Sequence, residues 1–203
     1  MKLTDRDIEI LGFISDCGYC STLHLTNFLS VKRARIYQLM KRLVQCKFVI
    51  KEYLLQGHPA IYYLTSEGAS FTELPLIDYI SLGTYRHQII MINVALKLMQ
   101  VHPEAVWVSE RHLKYDKFCN GIGKRGHVAD SLLVFPDDRQ VAIEVELSVK
   151  GKQRIEGIIK SYASQFAIKE VWYFCSQSAY TVLSGLVAKK SYIKLFSIKE
   201  FLA

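Results

Sequence analysis

Two glutamates stand two residues apart in the segment Val141-Ala142-Ile143-Glu144-Val145-Glu146-Leu147-Ser148-Val149-Lys150. Side chains on a strand alternate between its faces. One face here is wholly apolar: Val141, Ile143, Val145, Leu147 and Val149. The other carries Ala142, Glu144, Glu146, Ser148 and Lys150. Adjacent like charges are costly unless something cationic offsets them. A hard divalent cation with oxygen ligands does that. Asp130 lies on the preceding predicted strand, with Val128 and Leu132 on its own face. A lone carboxylate on an apolar face needs a partner too. If Pro136, Asp137 and Asp138 form a three-residue turn, Phe135 faces Arg139 and Asp130 lands opposite Glu144. Asp130, Glu144 and Glu146 would then meet as oxygen ligands suited to Mg²⁺ or Mn²⁺. The alternative is a one-sided sheet, with Glu144 and Glu146 solvated and Asp130 at the end of a hairpin.

A second chemistry is carried by cations. From Val31 to Lys51 there are seven Lys or Arg residues and no Asp or Glu: Lys32, Arg33, Arg35, Lys41, Arg42, Lys47 and Lys51. The whole chain has a formal net charge of +7. Dense basic charge of one sign favours a polyanion, because cations release counterions from nucleic acid. Lys32, Arg33, Arg35, Gln38, Lys41 and Arg42 fall off the apolar stripe of a predicted helix and point to DNA. Arg35 and Gln38 suit base reading, since Arg matches guanine and Gln matches adenine. Lys124 and Arg125, with Lys114 and Lys117, surround a loop containing Gly121, Gly123 and Gly126. That loop reads either as a basic DNA contact or as an ordinary solvated loop.

The remaining reactive types are sparser. Cys17 and Cys20 have CxxC spacing, but a zinc site needs two more ligands. Only Cys46 or His24 is near, and small apolar packing residues account for the thiols. Five cysteines with no signal peptide before them predict reduced thiols and a cytoplasmic protein. His102, His112 and His127 form no HxH cluster. Glu110 and His127 could each join the acidic site or serve elsewhere. No P-loop, dinucleotide fingerprint or serine-nucleophile signature occurs. No apolar run reaches the roughly 20 residues of a membrane span.

These groups need elements to position them. Thr4-Asp5-Arg6-Asp7 resembles a capping box with Asp in place of Glu or Gln. Ile8, Leu11 and Ile14 predict one apolar stripe, closed by Gly18. A second helix fits Thr22 to Leu29. Ser30 can cap a third, whose Ile36, Leu39, Met40, Leu43 and Val44 recur at helical period. A hairpin follows, with strands at Phe48 to Leu55 and Ala60 to Leu64. Its turn at Gln56-Gly57-His58-Pro59 would set His58 against DNA. Three helices and a hairpin, with the basic face on the third helix, is the winged helix-turn-helix order.

Pro75 and Gly83 mark a connection, so the predicted domains are residues 1–74 and 84–203. The second begins with an apolar helix from Tyr85 to Gln100. Strands follow at Val106–Val108, Val128–Phe135 and Val141–Val149. A helix from Lys152 to Phe166 buries Ile155, Ile158, Ile159, Tyr162 and Phe166. Val171–Cys175 and Ile193–Phe196 are strands around a helix at Ala179–Ala188. The class is α/β (α+β), an N-terminal winged helix followed by a mixed-sheet domain.

Asp130, then Glu144-x-Glu146 on the next strand, then a helix, is similar to the core of PD-(D/E)xK nucleases. The Pro of that motif is absent, the sequence reading Val128-Ala129-Asp130, and Glu146 stands where Lys is usual. The chain as a whole resembles the replication–relaxation family of mobile elements, which includes MOBC-type plasmid mobilization relaxases. His87 and Asn93 match its His…Asn helix. Trp107-Val108-Ser109-Glu110 matches its tryptophan strand, and Lys160-Ser161-Tyr162 its later helix. The resemblance implies a restriction-endonuclease-like second domain that nicks an origin of transfer by metal-dependent phosphodiester hydrolysis. Asp130 and Glu144 would be ligands and Glu146 a ligand or base. Lys150 or Arg154 would stabilise developing charge. It also implies a relaxosome or coupling protein as partner. The alternative is a non-catalytic relaxosome accessory factor or a transcriptional or replication regulator with a degenerate nuclease domain.

Overall fold

Thr4 and Asp7 open the first helix by satisfying each other's backbone. The Asp7 carboxylate accepts from the Thr4 N–H at 2.9 Å, and Thr4 Oγ1 accepts from the Asp7 N–H at 3.3 Å. This is a capping box in which Asp serves in place of Glu. The computed structural model describes residues 2–121, 127–149 and 151–201. Helix α1 (Asp5–Cys17) ends at Gly18, whose φ of 75° is open to glycine at little steric cost. Its buried stripe is rotated from the predicted one. Ile10, Leu11 and Ile14 are fully buried and Ile8 is exposed, because Phe13 and Cys17 share the core face.

Strand β1 (Tyr19–Ser21) leads into α2 (Thr22–Leu29), where Ser21 and His24 form a second capping box. Ser30 adopts φ 52° and closes α2 instead of opening the next helix. Helix α3 (Arg33–Gln45) starts from Lys32 without a side-chain cap. It buries Ile36, Leu39, Met40 and Leu43. Strands β2 (Val49–Glu52) and β3 (Ile61–Leu64) and the short α4 (Ser66–Ala69) complete the unit. The sheet runs β1-β3-β2, antiparallel throughout. Three helices, a hairpin and a third strand added by β1 make a winged helix-turn-helix.

Helix α5 (Leu82–Val101) follows. The chain divides into two compact units, Met1–Ile92 and Asn93–Ala203, so the break falls inside α5. Residues 75–83, read from sequence as the connection, belong with the first unit. Ile77, Ile80 and Ile89 pack on a cluster of Tyr19, Ile61 and Tyr85.

The second unit contains β4 (Val106–Ser109), α6 (Glu110–Cys119), β5 (Ser131–Val134), β6 (Gln140–Glu146), α7 (Lys152–Ala163), β7 (Ile168–Cys175), α8 (Gln177–Val187) and β8 (Ile193–Ser197). A 3₁₀ turn closes it at Ile198–Phe201. Strand order is β4-β5-β6-β7-β8. The first three strands are antiparallel. The last three are parallel, and α7 and α8 make the crossovers. Helix α6 has no counterpart in the sequence reading, because none of its side chains is buried and no apolar stripe marks it.

Of the boundaries that differ from expectation, three bear on the acidic site and its cover. Strand β5 begins at Ser131, not Val128. Strand β6 stops at Glu146, so Ser148 does not continue its face. Helix α7 stops at Ala163, leaving Phe166 90% exposed instead of buried. No described helix is long and apolar enough to cross a membrane.

Candidate nucleic-acid interface and acidic site

Ile36, Leu39, Met40 and Leu43 turn one side of α3 into the core, which fixes what the other side presents. Lys32, Arg33, Arg35, Gln38 and Lys41 are all exposed. The first turn of α3 holds no acid. Arg33 and Arg35 therefore sit at the positive end of the helix dipole, an unfavourable place for cations. A phosphate at that end would reverse the sign of the interaction. Arg35 Nη1 donates to Gln38 Oε1 at 3.4 Å, so the two side chains named as base readers are neighbours.

Arg42 is placed differently from its predicted role. Its guanidinium is bonded and ion-paired to Asp7, which is fully buried. A buried carboxylate needs such a partner, so Arg42 joins α3 to α1. His58 lies on the exposed connection between β2 and β3, and Gly57 before it turns the chain at φ 78°. The His58 ring stands edge-on to Tyr85, 5.8 Å between centroids. Lys124, Arg125 and Lys150 lie outside the described residues.

Phe135 and Arg139 close the hairpin that aligns the acids. The Phe135 N–H donates to the Arg139 carbonyl at 3.0 Å, and Asp138 takes φ 59°. This is the three-residue turn that the sequence suggested. Ser131 pairs with Ile143, and continuing that register sets Asp130 opposite Glu144. Asp130 Oδ2 accepts from the Val145 N–H at 2.8 Å, capping the end of the ladder.

Both faces of β6 are covered. Glu144 is 3% exposed and Glu146 5%, so the one-sided sheet with solvated glutamates does not occur. Ala142, on the same face, belongs to a cluster with Ile155, Ile159 and Tyr162 of α7 and Leu183 of α8. The Tyr162 hydroxyl donates to Glu144 Oε1, and His127 Nε2 lies 2.5 Å from the same oxygen. Burial pushes the Glu144 carboxyl above its ordinary range. Asp130 adds to that, while the His127 and Tyr162 hydrogen bonds act against it. Mutual repulsion of acids is thus present but secondary to desolvation. Burial and Glu144 also drive the Tyr162 phenol far up.

Sequence reasoning had Tyr162 as a core residue and as part of the Lys160-Ser161-Tyr162 match, with no role beside the acids, and left His127 open. The signal for Tyr162 was its place on the Ile155–Ile159 stripe, which must cross the strand bearing Glu144. Glu110 goes elsewhere, pairing with Lys114 at 2.6 Å along α6. Asn93 Nδ2 donates to the Phe201 carbonyl at 3.0 Å, tying α5 to the closing turn. Among the described residues, no group of three or more His, Cys, Asp or Glu side chains is arranged to hold a metal ion. Glu144 Oε1 is occupied by Tyr162 and His127. A Mg²⁺ or Mn²⁺ ion at that oxygen would have to displace both hydrogen bonds.

No protein-family profile and no curated protein matches this chain. Among solved structures it has weak similarity to the oxidized form of MarR from E. coli. That match has 14% identity and TM-score 0.32, over 60% of this chain and 76% of that one. The adhesin competence repressor AdcR from Streptococcus pyogenes is similar at 20% identity and the same TM-score, over 60% of this chain and 80% of that one. At that TM-score neither similarity carries weight for fold or function.

Proposed function

We propose that this chain binds duplex DNA through α3 and acts as a non-catalytic DNA-binding factor, a regulator or an accessory of a larger DNA-processing assembly. The observation that carries this reading is the face of α3. Lys32, Arg33, Arg35, Gln38 and Lys41 are exposed together on the third helix of a winged helix-turn-helix, with no acid in the first turn. Such a helix lies in the major groove, its exposed side chains reaching base edges and phosphates. Electrophoretic mobility shift with a duplex pool tests it. The full chain should retain duplex DNA at low salt and release it steeply as salt rises. Absence of a shift at low salt would refute it.

A second reading is a metal-dependent nickase acting at an origin of transfer, with a relaxosome or coupling protein as partner. The observation favouring it is the register that aligns Asp130 with Glu144, beside the buried Glu146. It requires Glu144 to exchange its hydrogen bonds from Tyr162 and His127 for an ion. Incubating supercoiled plasmid carrying candidate origins with the protein and Mn²⁺ or Mg²⁺ separates the readings. The accessory-factor reading predicts no open-circular product. Nicking that disappears in Asp130→Ala while DNA binding persists would replace it with the nuclease.

A further inference from the structure

Lys51 stands on β2, opposite Tyr62 in the register with β3. Its ammonium lies 5.0 Å from the centroid of the Tyr53 ring. On α3, Arg33 donates to the Tyr37 hydroxyl at 2.9 Å, its guanidinium 5.4 Å from that ring's centroid. Helix α3 packs directly against strand β2, and Tyr37 and Lys51 lie within electrostatic range of one another, so the helix pair and the strand pair share one patch. Tyr37 is 43% exposed and Tyr53 68%. The phenol of Tyr37 is shifted down by Thr22, then by Arg33 and Lys51, as befits a hydroxyl facing cations.

The partners of these cations are phenols. Among the described residues, no salt bridge neutralises Arg33 or Lys51. A carboxylate partner would cancel the charge, whereas a ring face orients a cation and leaves its charge available. Held in this way, the cations lose less freedom when an anion arrives. Tyr hydroxyls and basic side chains are the groups that bond backbone phosphates and fix a protein's register on a duplex.

We propose that Arg33, Tyr37, Lys51 and Tyr53 form a preorganised clamp for the phosphodiester backbone of duplex DNA, flanking the base-reading residues Arg35 and Gln38. The proposal rests on the DNA-binding reading above and adds a strand-borne contact to it. The clamp positions the chain and does not read sequence. Lys51 and Arg33 each neutralise a phosphate, and the Tyr37 hydroxyl adds a neutral hydrogen bond.

The test is a salt titration of binding to a fluorescent random-sequence duplex, using the full chain. Wild type is compared with Lys51→Gln, Arg33→Gln and Tyr37→Phe, and thermal melts confirm that these surface variants fold. Each charge removal should weaken binding and lower the slope of log K against log salt by about 0.9. Tyr37→Phe should weaken binding severalfold and leave the slope unchanged. A wild type that binds no duplex overturns both this proposal and the reading beneath it. A wild type that binds, with Lys51→Gln and Arg33→Gln unchanged in affinity and slope, overturns the clamp alone. A single strand that outcompetes the duplex also overturns it, assigning the exposed tyrosines to base stacking.

Discussion

Arg42 and Arg35 carry the same charge about two turns apart on one helix, yet their surroundings give them opposite work. Arg35 is exposed beside Gln38, while Arg42 is bonded to the buried Asp7. Arg42→Ala should lower stability by roughly 2 kcal/mol, below the full cost of breaking a buried pair because Arg42 keeps part of its solvent contact. Urea denaturation reads that loss, and DNA affinity measured while the variant is folded should stay near wild type. A large affinity loss without a stability loss would return Arg42 to the DNA face.

Glu144 is the second informative residue. Burial raises its carboxyl above the unfolded value, so the folded state holds the proton more tightly. Stability should fall as pH rises from the unfolded carboxyl's value of about 4.3 through the raised folded one, and level off above it. Glu144→Gln keeps an acceptor for Tyr162 and removes the charge. Denaturation across that pH range should show this component of the slope lost. A variant with the wild-type pH profile would show that Glu144 does not titrate in this way.

At the scale of elements, the corner between α3 and β2 is sealed by α4. Thr65 Oγ1 donates to the Lys47 carbonyl at 2.6 Å, where Lys47 takes φ 61°. A Cβ built on Gly68 would stand 2.1 Å from the Phe48 carbonyl oxygen. Gly68→Ala should therefore force backbone apart and cost about 1–3 kcal/mol, read as a lowered melting temperature. An unchanged melt would mean that the corner yields freely.

What could be read beforehand follows from how local each cause is. The Thr4–Asp7 cap and the α3 stripe depend on residues within one or two turns, and both were legible. So was the Pro136–Asp138 turn, which sets the register of Asp130 with Glu144. Ser30 was misread because its left-handed closure of α2 competes with a capping role that its residue type equally suits. Phe166 was misread because helical period continues in the sequence after α7 has ended. The burial of Glu144 needed the packing of α7 over β6, a tertiary fact that strand alternation does not contain. Tyr37 and Tyr53 escaped notice, and Lys51 was read only as one of a basic run, because their meeting depends on how β2 lies beside α3.

At the scale of the whole molecule, a net charge of +7 predicts attraction to any polyanion, so affinity alone does not establish site recognition. Selection from a randomised duplex pool decides whether the exposed face of α3 reads sequence. The full-length wild type should enrich a defined motif. Arg35→Ala should bind that motif about 1–3 kcal/mol more weakly and enrich a more degenerate one. Enrichment of the same motif at the same affinity by Arg35→Ala would contradict the account, as would a wild type that enriches no motif.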